Sequence, residues 1–83
     1  MYSIEFTQTA EKSFCKLEKN IQERILSVLE RIKARPFHFI KRKEGTPYFI
    51  LRVGEYRAIL DVNQEKLIIY VMELGHRKNI YED

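Results

Sequence analysis

Six side chains near the middle and the end of this 83-residue chain could do chemistry: Arg52, Arg57, His76, Arg77, Lys78 and Tyr81. Guanidinium forks donate to two phosphate oxygens at once and stay charged at any physiological pH. An imidazole exchanges a proton near neutral pH, and a phenol can orient or relay one. Such a set suits a phosphate better than a carbonyl. A reaction that needs charge stabilised at phosphorus, with one weak acid and one weak base, is RNA cleavage by the neighbouring 2′-hydroxyl. Blander roles fit the same residues. Arg52 and Arg57 could pair with carboxylates such as Asp61 or Glu55, His76 could cap a strand end, and Tyr81 could pack its ring at the end of the core.

Other residues would complete a nucleic-acid site. Lys41-Arg42-Lys43 is a short basic run, either a solvated loop or a phosphate-facing rim. Tyr48, Ile50, Ile59 and Tyr70 could form an apolar, aromatic-bearing floor that seats a base. No metal set is visible, because His38 and His76 are far apart and Cys15 is the single cysteine. Gly-rich phosphate loops, a nucleophile elbow and a dinucleotide fingerprint are all missing, so no cofactor is expected.

The elements that must position these groups follow from periodicity. In Leu51-Arg52-Val53-Gly54-Glu55-Tyr56-Arg57, two β-prone runs flank Gly54-Glu55. Gly first in a two-residue loop predicts a type II′ turn. That turn pairs Val53 with Tyr56 and Arg52 with Arg57, as like-charged cross-strand neighbours whose repulsion something anionic should offset. The strands run over Tyr48–Val53 and Tyr56–Val62. Alternation puts Phe49, Leu51, Val53, Tyr56, Ala58, Leu60 and Val62 on a core face, and Tyr48, Ile50, Arg52, Arg57, Ile59 and Asp61 on the other. Leu67–Leu74 is apolar on both faces, which predicts the central strand. A turn at Gly75 would then bring His76 and Arg77 to the sheet edge beside Arg57.

Upstream, Tyr2, Ile4 and Phe6 alternate with Ser3 and Glu5 as a short strand, and Thr7-Gln8-Thr9 offers helix-capping hydroxyls. Ala10, Phe14 and Leu17 mark a first helix. Ile21, Ile25, Val28, Leu29 and Ile32 mark a second, over about Ile21–Ala34, opened by a capping box of Asn20 and Glu23 and stopped by Pro36. Phe37-His38-Phe39-Ile40 should tuck under the sheet. The expected architecture is α+β, β-α-α-β-β-β, with a helical hairpin on one face of a mainly antiparallel four-stranded sheet and residues 1–83 as a single domain.

Composition bounds the rest. The chain is 45% hydrophobic and 33% charged with a net charge of +3, a modest excess that leaves an anionic partner open. Cys15 is expected as a small buried side chain in a reducing compartment. The first residues show no signal peptide and no apolar run spans a membrane, so a soluble cytoplasmic protein is expected.

The element order, the stretch Leu51–Arg57 and the ending Gly75-His76-Arg77-Lys78-Asn79-Ile80-Tyr81 resemble the RelE branch of the RelE/ParE toxin superfamily, over Ile4 to Tyr81. The resemblance implies a toxin of a type II toxin–antitoxin pair. Such a toxin enters the ribosomal A site, cuts mRNA there and inhibits translation, and a RelB-like antitoxin wraps around it in a hetero-oligomer. It implies that Arg57 and Arg77 bind the scissile phosphate and that Tyr81 positions the nucleotide or assists proton transfer. Arg52 matches the basic position before the hairpin turn. Lys41, Arg42, Lys43, Lys78 and Tyr48 are the further RNA-binding candidates. Some relatives carry lysines on the strand before the hairpin, where this chain has Tyr48 and Ile50. The base is therefore sought first at His76, then at Glu73, with Lys41 or Lys43 reaching over from the connector. Two other readings remain: a ParE-like toxin that binds DNA gyrase without nuclease chemistry, and a non-toxic antitoxin-binding homologue.

Overall fold

The computed structural model describes residues 1–80. Its elements run β1 (Ser3–Phe6), α1 (Gln8–Cys15), α2 (Lys19–Ile32), a 3-10 turn (Pro36–His38), β2 (Lys41–Arg42), β3 (Phe49–Val53), β4 (Tyr56–Asn63) and β5 (Ile68–His76). The strands form one sheet in the order β1-β5-β4-β3-β2. β1 lies parallel to β5, and the other neighbours are antiparallel. The architecture is α+β, two helices on one face of a mixed sheet. No helix among the described residues is long and apolar enough to cross a membrane.

The helices start and stop for local reasons. Thr7 caps α1, its Oγ1 accepting from the Ala10 N–H at 3.1 Å. The same hydroxyl donates to the Met72 carbonyl at 2.9 Å, so the cap also ties α1 to β5. The capping box at Asn20 does not form. α2 begins earlier, at Lys19, with Glu18 as an N-cap that makes no side-chain bond. The Glu18 carbonyl takes the N–H groups of Ile21 and Gln22. This start puts Gln22 in the first turn, where its side chain donates to the Phe14 carbonyl at 2.9 Å and staples the two helices. α2 ends at Ile32, ahead of Pro36.

The core is the helix-side face. Ile25, Leu29 and Ile32 of α2 and Ala10 of α1 pack on Leu51, Val53, Ala58, Leu60, Ile69, Val71 and Leu74. Leu51, Val53, Ala58 and Leu60 are inward positions that alternation assigns to the hairpin.

Five expectations are corrected. The sheet has five strands, because Lys41 and Arg42 pair with Ile50 and Phe49 at its edge. The middle strand is β4; β5 is interior, flanked by the short β1. Leu67 adopts φ 56° in the turn, so β5 starts at Ile68. Phe37 and Phe39 stay 45% and 43% exposed instead of tucking under the sheet, because the 3-10 turn buries Pro36. Cys15 is exposed, since it ends α1 on the solvent side, away from the face that buries Ala10.

Candidate phosphate-binding face

The hairpin turn has the geometry its sequence dictates. Gly54 has φ 60° while Glu55 does not share the positive φ, which fits a type II′ turn. Arg52 therefore faces Arg57 across β3 and β4. The two arginines differ in environment. Arg52 is exposed, whereas Arg57 is only 8% exposed. Arg57 Nη1 donates to the carbonyls of Gly54 and Tyr56, each at 3.0 Å. Those carbonyls hold the fork in one orientation and draw its charge toward the turn, which relieves part of the repulsion from Arg52.

Across β4 and β5, Arg57 lies opposite Gly75. Gly75 does not turn the chain; β5 runs straight through it to His76. The ladder extends one step further, with the Arg77 N–H donating to the Glu55 carbonyl at 2.8 Å. The turn comes afterwards, closed by the Asn79 N–H on the His76 carbonyl at 2.8 Å.

A bulge decides which way these residues point. Ile59 pairs with Glu73 but Leu60 pairs with Val71, so Met72 is an extra residue in β5. The inserted residue lets Val71 and Leu74 both enter the core. It also puts Glu73 and Gly75 on the face of Ile59 and Arg57, with Arg77 the next position on that side. His76 is turned the other way. Its ring meets Tyr56 edge to face at 5.4 Å, and with Ser13 of α1 and Leu17 just after it His76 lines a cavity of about 440 Å³.

His76 is engaged at both nitrogens. Nδ1 accepts from the Lys78 N–H at 3.2 Å, and Nε2 lies 3.4 Å from Glu55 Oε2. Arg77 Nη2 lies 3.7 Å from the other Glu55 oxygen. Glu55 thus holds His76 and Arg77 from the hairpin turn, through contacts that are more than half exposed on the carboxylate side and correspondingly weak.

The other candidates distribute over the sheet. Lys43 and Tyr48 pair through the backbone beyond β2 and line a depression of about 660 Å³ with Ile59, Met72, Glu73 and Asn79. Lys41 lies opposite Ile50, so it shares the side of Arg52. Arg42 falls on the other side, its guanidinium 5.8 Å from the centre of the Phe49 ring. Lys78 is exposed in the terminal turn. Tyr70 lies opposite Asp61, toward the far end of the sheet from Arg57. Tyr81 lies outside the described residues. Among the described residues no cluster of three or more His, Cys, Asp or Glu side chains could hold a metal ion.

Sequence reasoning had missed Thr7, Thr9 and Asn79 as lining of the depression. Thr7 and Thr9 were legible only as capping hydroxyls. The parallel pairing of β1 with β5 carries them there, and no local pattern encodes that pairing.

This arrangement of strands, helices and arginines has relatives. The family model for the ParE toxin of type II toxin–antitoxin systems, parDE, matches residues 4–81. The chain belongs to this toxin family. Within the RelE/ParE superfamily it is similar to RelE toxins in solved complexes. The RelBE2 complex of Mycobacterium tuberculosis contains a chain 25% identical, with a TM-score of 0.82, covering 92% of this chain and 98% of that one. The intact Escherichia coli RelBE complex gives 25% identity, a TM-score of 0.79 and coverage of 92% and 96%. The RelB–RelE complex of Methanococcus jannaschii gives 28% identity, a TM-score of 0.73 and coverage of 93% and 94%. No curated protein sequence matches the chain significantly. The toxin fold is therefore the RelE fold.

Proposed function

We propose that this toxin is a ribosome-dependent mRNA endoribonuclease that stops translation in the cytoplasm and is neutralised by a RelB-like antitoxin bound to it as a hetero-oligomer. The observation that supports the reading is the register of Arg57 with Gly75, after which the Arg77 N–H bonds the Glu55 carbonyl of the same hairpin, so both arginines belong to the β4–β5 end of the sheet. A guanidinium held in place at Arg57 and an exposed one at Arg77 suit the non-bridging oxygens of a phosphodiester. The antitoxin follows from the RelE relatives, which occur in complexes with RelB.

In the proposed reaction the 2′-oxygen attacks the adjacent phosphorus. An O2′–P bond forms and the P–O5′ bond breaks, leaving a 2′,3′-cyclic phosphate and a 5′-hydroxyl. Arg57 and Arg77 stabilise the charge that builds on the phosphate. The 2′-proton needs an acceptor, and the departing 5′-oxygen needs a donor. Glu73 is favoured as acceptor because it is exposed and pairs with Ile59 on the side of the sheet that carries Arg57. His76, with both nitrogens occupied on the opposite side, acts as a positioning residue that fixes the terminal turn carrying Arg77. Tyr81 places the nucleotide or passes the proton to the leaving oxygen. The ribosome supplies the in-line geometry of the 2′-hydroxyl, a source of large rate enhancement.

Cleavage of mRNA on programmed ribosomes tests the reading, with wild type compared with Arg57→Ala and Arg77→Ala. Loss of cleavage in both variants supports it; equal cleavage by all three overturns the roles. The ParE description of the matching family model favours one other reading, inhibition of DNA gyrase by binding. Induced expression separates the two. Abrupt arrest of protein synthesis supports the nuclease, and DNA damage with filamentation supports the gyrase inhibitor. An antitoxin-binding homologue without toxicity would bind its antitoxin and arrest nothing.

A further inference from the structure

A second cavity, of about 220 Å³, lies at the other side of the arginine pair and is lined by His38, Phe39, Ile40, Lys41, Ile50 and Arg52. None of these six residues is acidic, and three are cationic or can become so. Two sides of the cavity are apolar: Ile50 is 4% exposed, and Phe39 keeps 43% of its surface in solvent. The cavity is smaller than the roughly 300–1,000 Å³ of drug-sized pockets, which limits it to a fragment such as one base or one phosphate group. It is also continuous with the candidate phosphate-binding face. Lys41 pairs with Ile50 on β3, and Arg52 pairs with Arg57 on β4. Adjacent strands lie about 4.8 Å apart, so β2 sits about 10 Å from the strand that carries Arg57, a short step along a nucleic-acid strand.

We infer that this cavity is a nucleotide subsite, in which an RNA base stacks on Phe39 over Ile50 while its phosphate is held by Lys41 and Arg52. The inference rests on the reading of the toxin as acting on RNA. An exposed aromatic ring bordered by cations is the arrangement that binds single-stranded nucleic acid, through stacking on the π-face and charge on the backbone. His38 meets the ring edge-on, the two centroids 5.8 Å apart and the planes at 60°. An acidic antitoxin segment would also meet these cations. The small lining and the single presented ring fit one nucleotide better than the continuous apolar groove that an amphipathic helix needs.

The subsite is tested with the isolated toxin and adenosine 5′-monophosphate as the probe, by amide NMR titration. Shifts centred on His38–Lys41, Ile50 and Arg52 are expected. Phe39→Leu, which keeps an apolar side chain but removes the ring, should weaken binding by about fivefold or more. Lys41→Gln should weaken both the nucleotide and inorganic phosphate. Phe39 and Lys41 are exposed, so both variants should fold, and unchanged amide spectra outside the site verify it. Shifts mapping elsewhere, or equal affinity of wild type and Phe39→Leu, overturn the inference. So does a Phe39→Leu variant that binds the nucleotide normally but loses affinity for the cognate antitoxin, because the surface is then a protein dock. Cleavage on ribosomes is scored separately. Cleavage without nucleotide at the cavity removes the subsite and leaves the nuclease reading. Nucleotide at the cavity without cleavage does the reverse.

Discussion

Arg57 lies opposite Gly75 in the β4–β5 ladder. The space above this glycine is taken by Ile80, whose side chain comes within 3.4 Å of where a Cβ on Gly75 would stand. Arg57 is itself 8% exposed and is held by the Gly54 and Tyr56 carbonyls.

Arg57 and Arg52 should separate in function. Arg57→Ala is expected to lower single-turnover cleavage by about 10²-fold or more, in line with removal of a preorganised donor to developing charge. Arg57→Lys keeps the charge but loses the fork and should recover only part of the rate. Arg52→Ala should leave the rate at saturation near wild type and reduce the salt dependence of RNA binding by about one unit of slope. Because Arg57 is buried, its variants need thermal midpoints measured alongside.

Glu73→Gln removes the proposed proton acceptor while keeping the side-chain size. Cleavage should fall by about 10²–10⁴-fold with ribosome binding unchanged. A single-turnover rate set against a pelleting assay reads both quantities. Wild-type rates would remove Glu73 from the mechanism.

Glu55→Gln releases the contacts to His76 and Arg77. Stability should change by less than about 1 kcal/mol, because the carboxylate is 65% exposed. Loss of one negative charge beside Arg77 should tighten binding to a short RNA by about fivefold at most at low salt, and the gain should shrink as salt is added.

Gly54→Ala forces a side chain into φ 60°, with the Arg24 guanidinium 3.1 Å from the new Cβ. Arg24 can swing away, so the backbone conformation sets the cost, about 1–2 kcal/mol. Urea unfolding measures it.

Thr7→Ala removes a helix cap and a bond to the bulged residue of β5 together. The expected loss is about 1–2 kcal/mol, and Thr7→Ser should restore most of it. A loss confined to the α1 N-terminus in hydrogen exchange would show that the tie to Met72 contributes little.

The sequence by itself determined the hairpin, its II′ turn, the Arg52–Arg57 register and the inward faces of β3 and β4. Those features depend on residues close in the chain, where period-two alternation and one glycine leave a single consistent pairing. The Thr7 cap and the amphipathic stripe of α2 were legible for the same reason. The tertiary structure decided the rest at Met72. Uninterrupted alternation from Ile69 and Val71 would have put Glu73, Gly75 and Arg77 on the core side and His76 beside Arg57. The bulge reverses this, because burying Leu74 is favourable and burying the carboxylate of Glu73 is costly. That choice depends on what β4 and the helices present to β5, and no window of local sequence contains it.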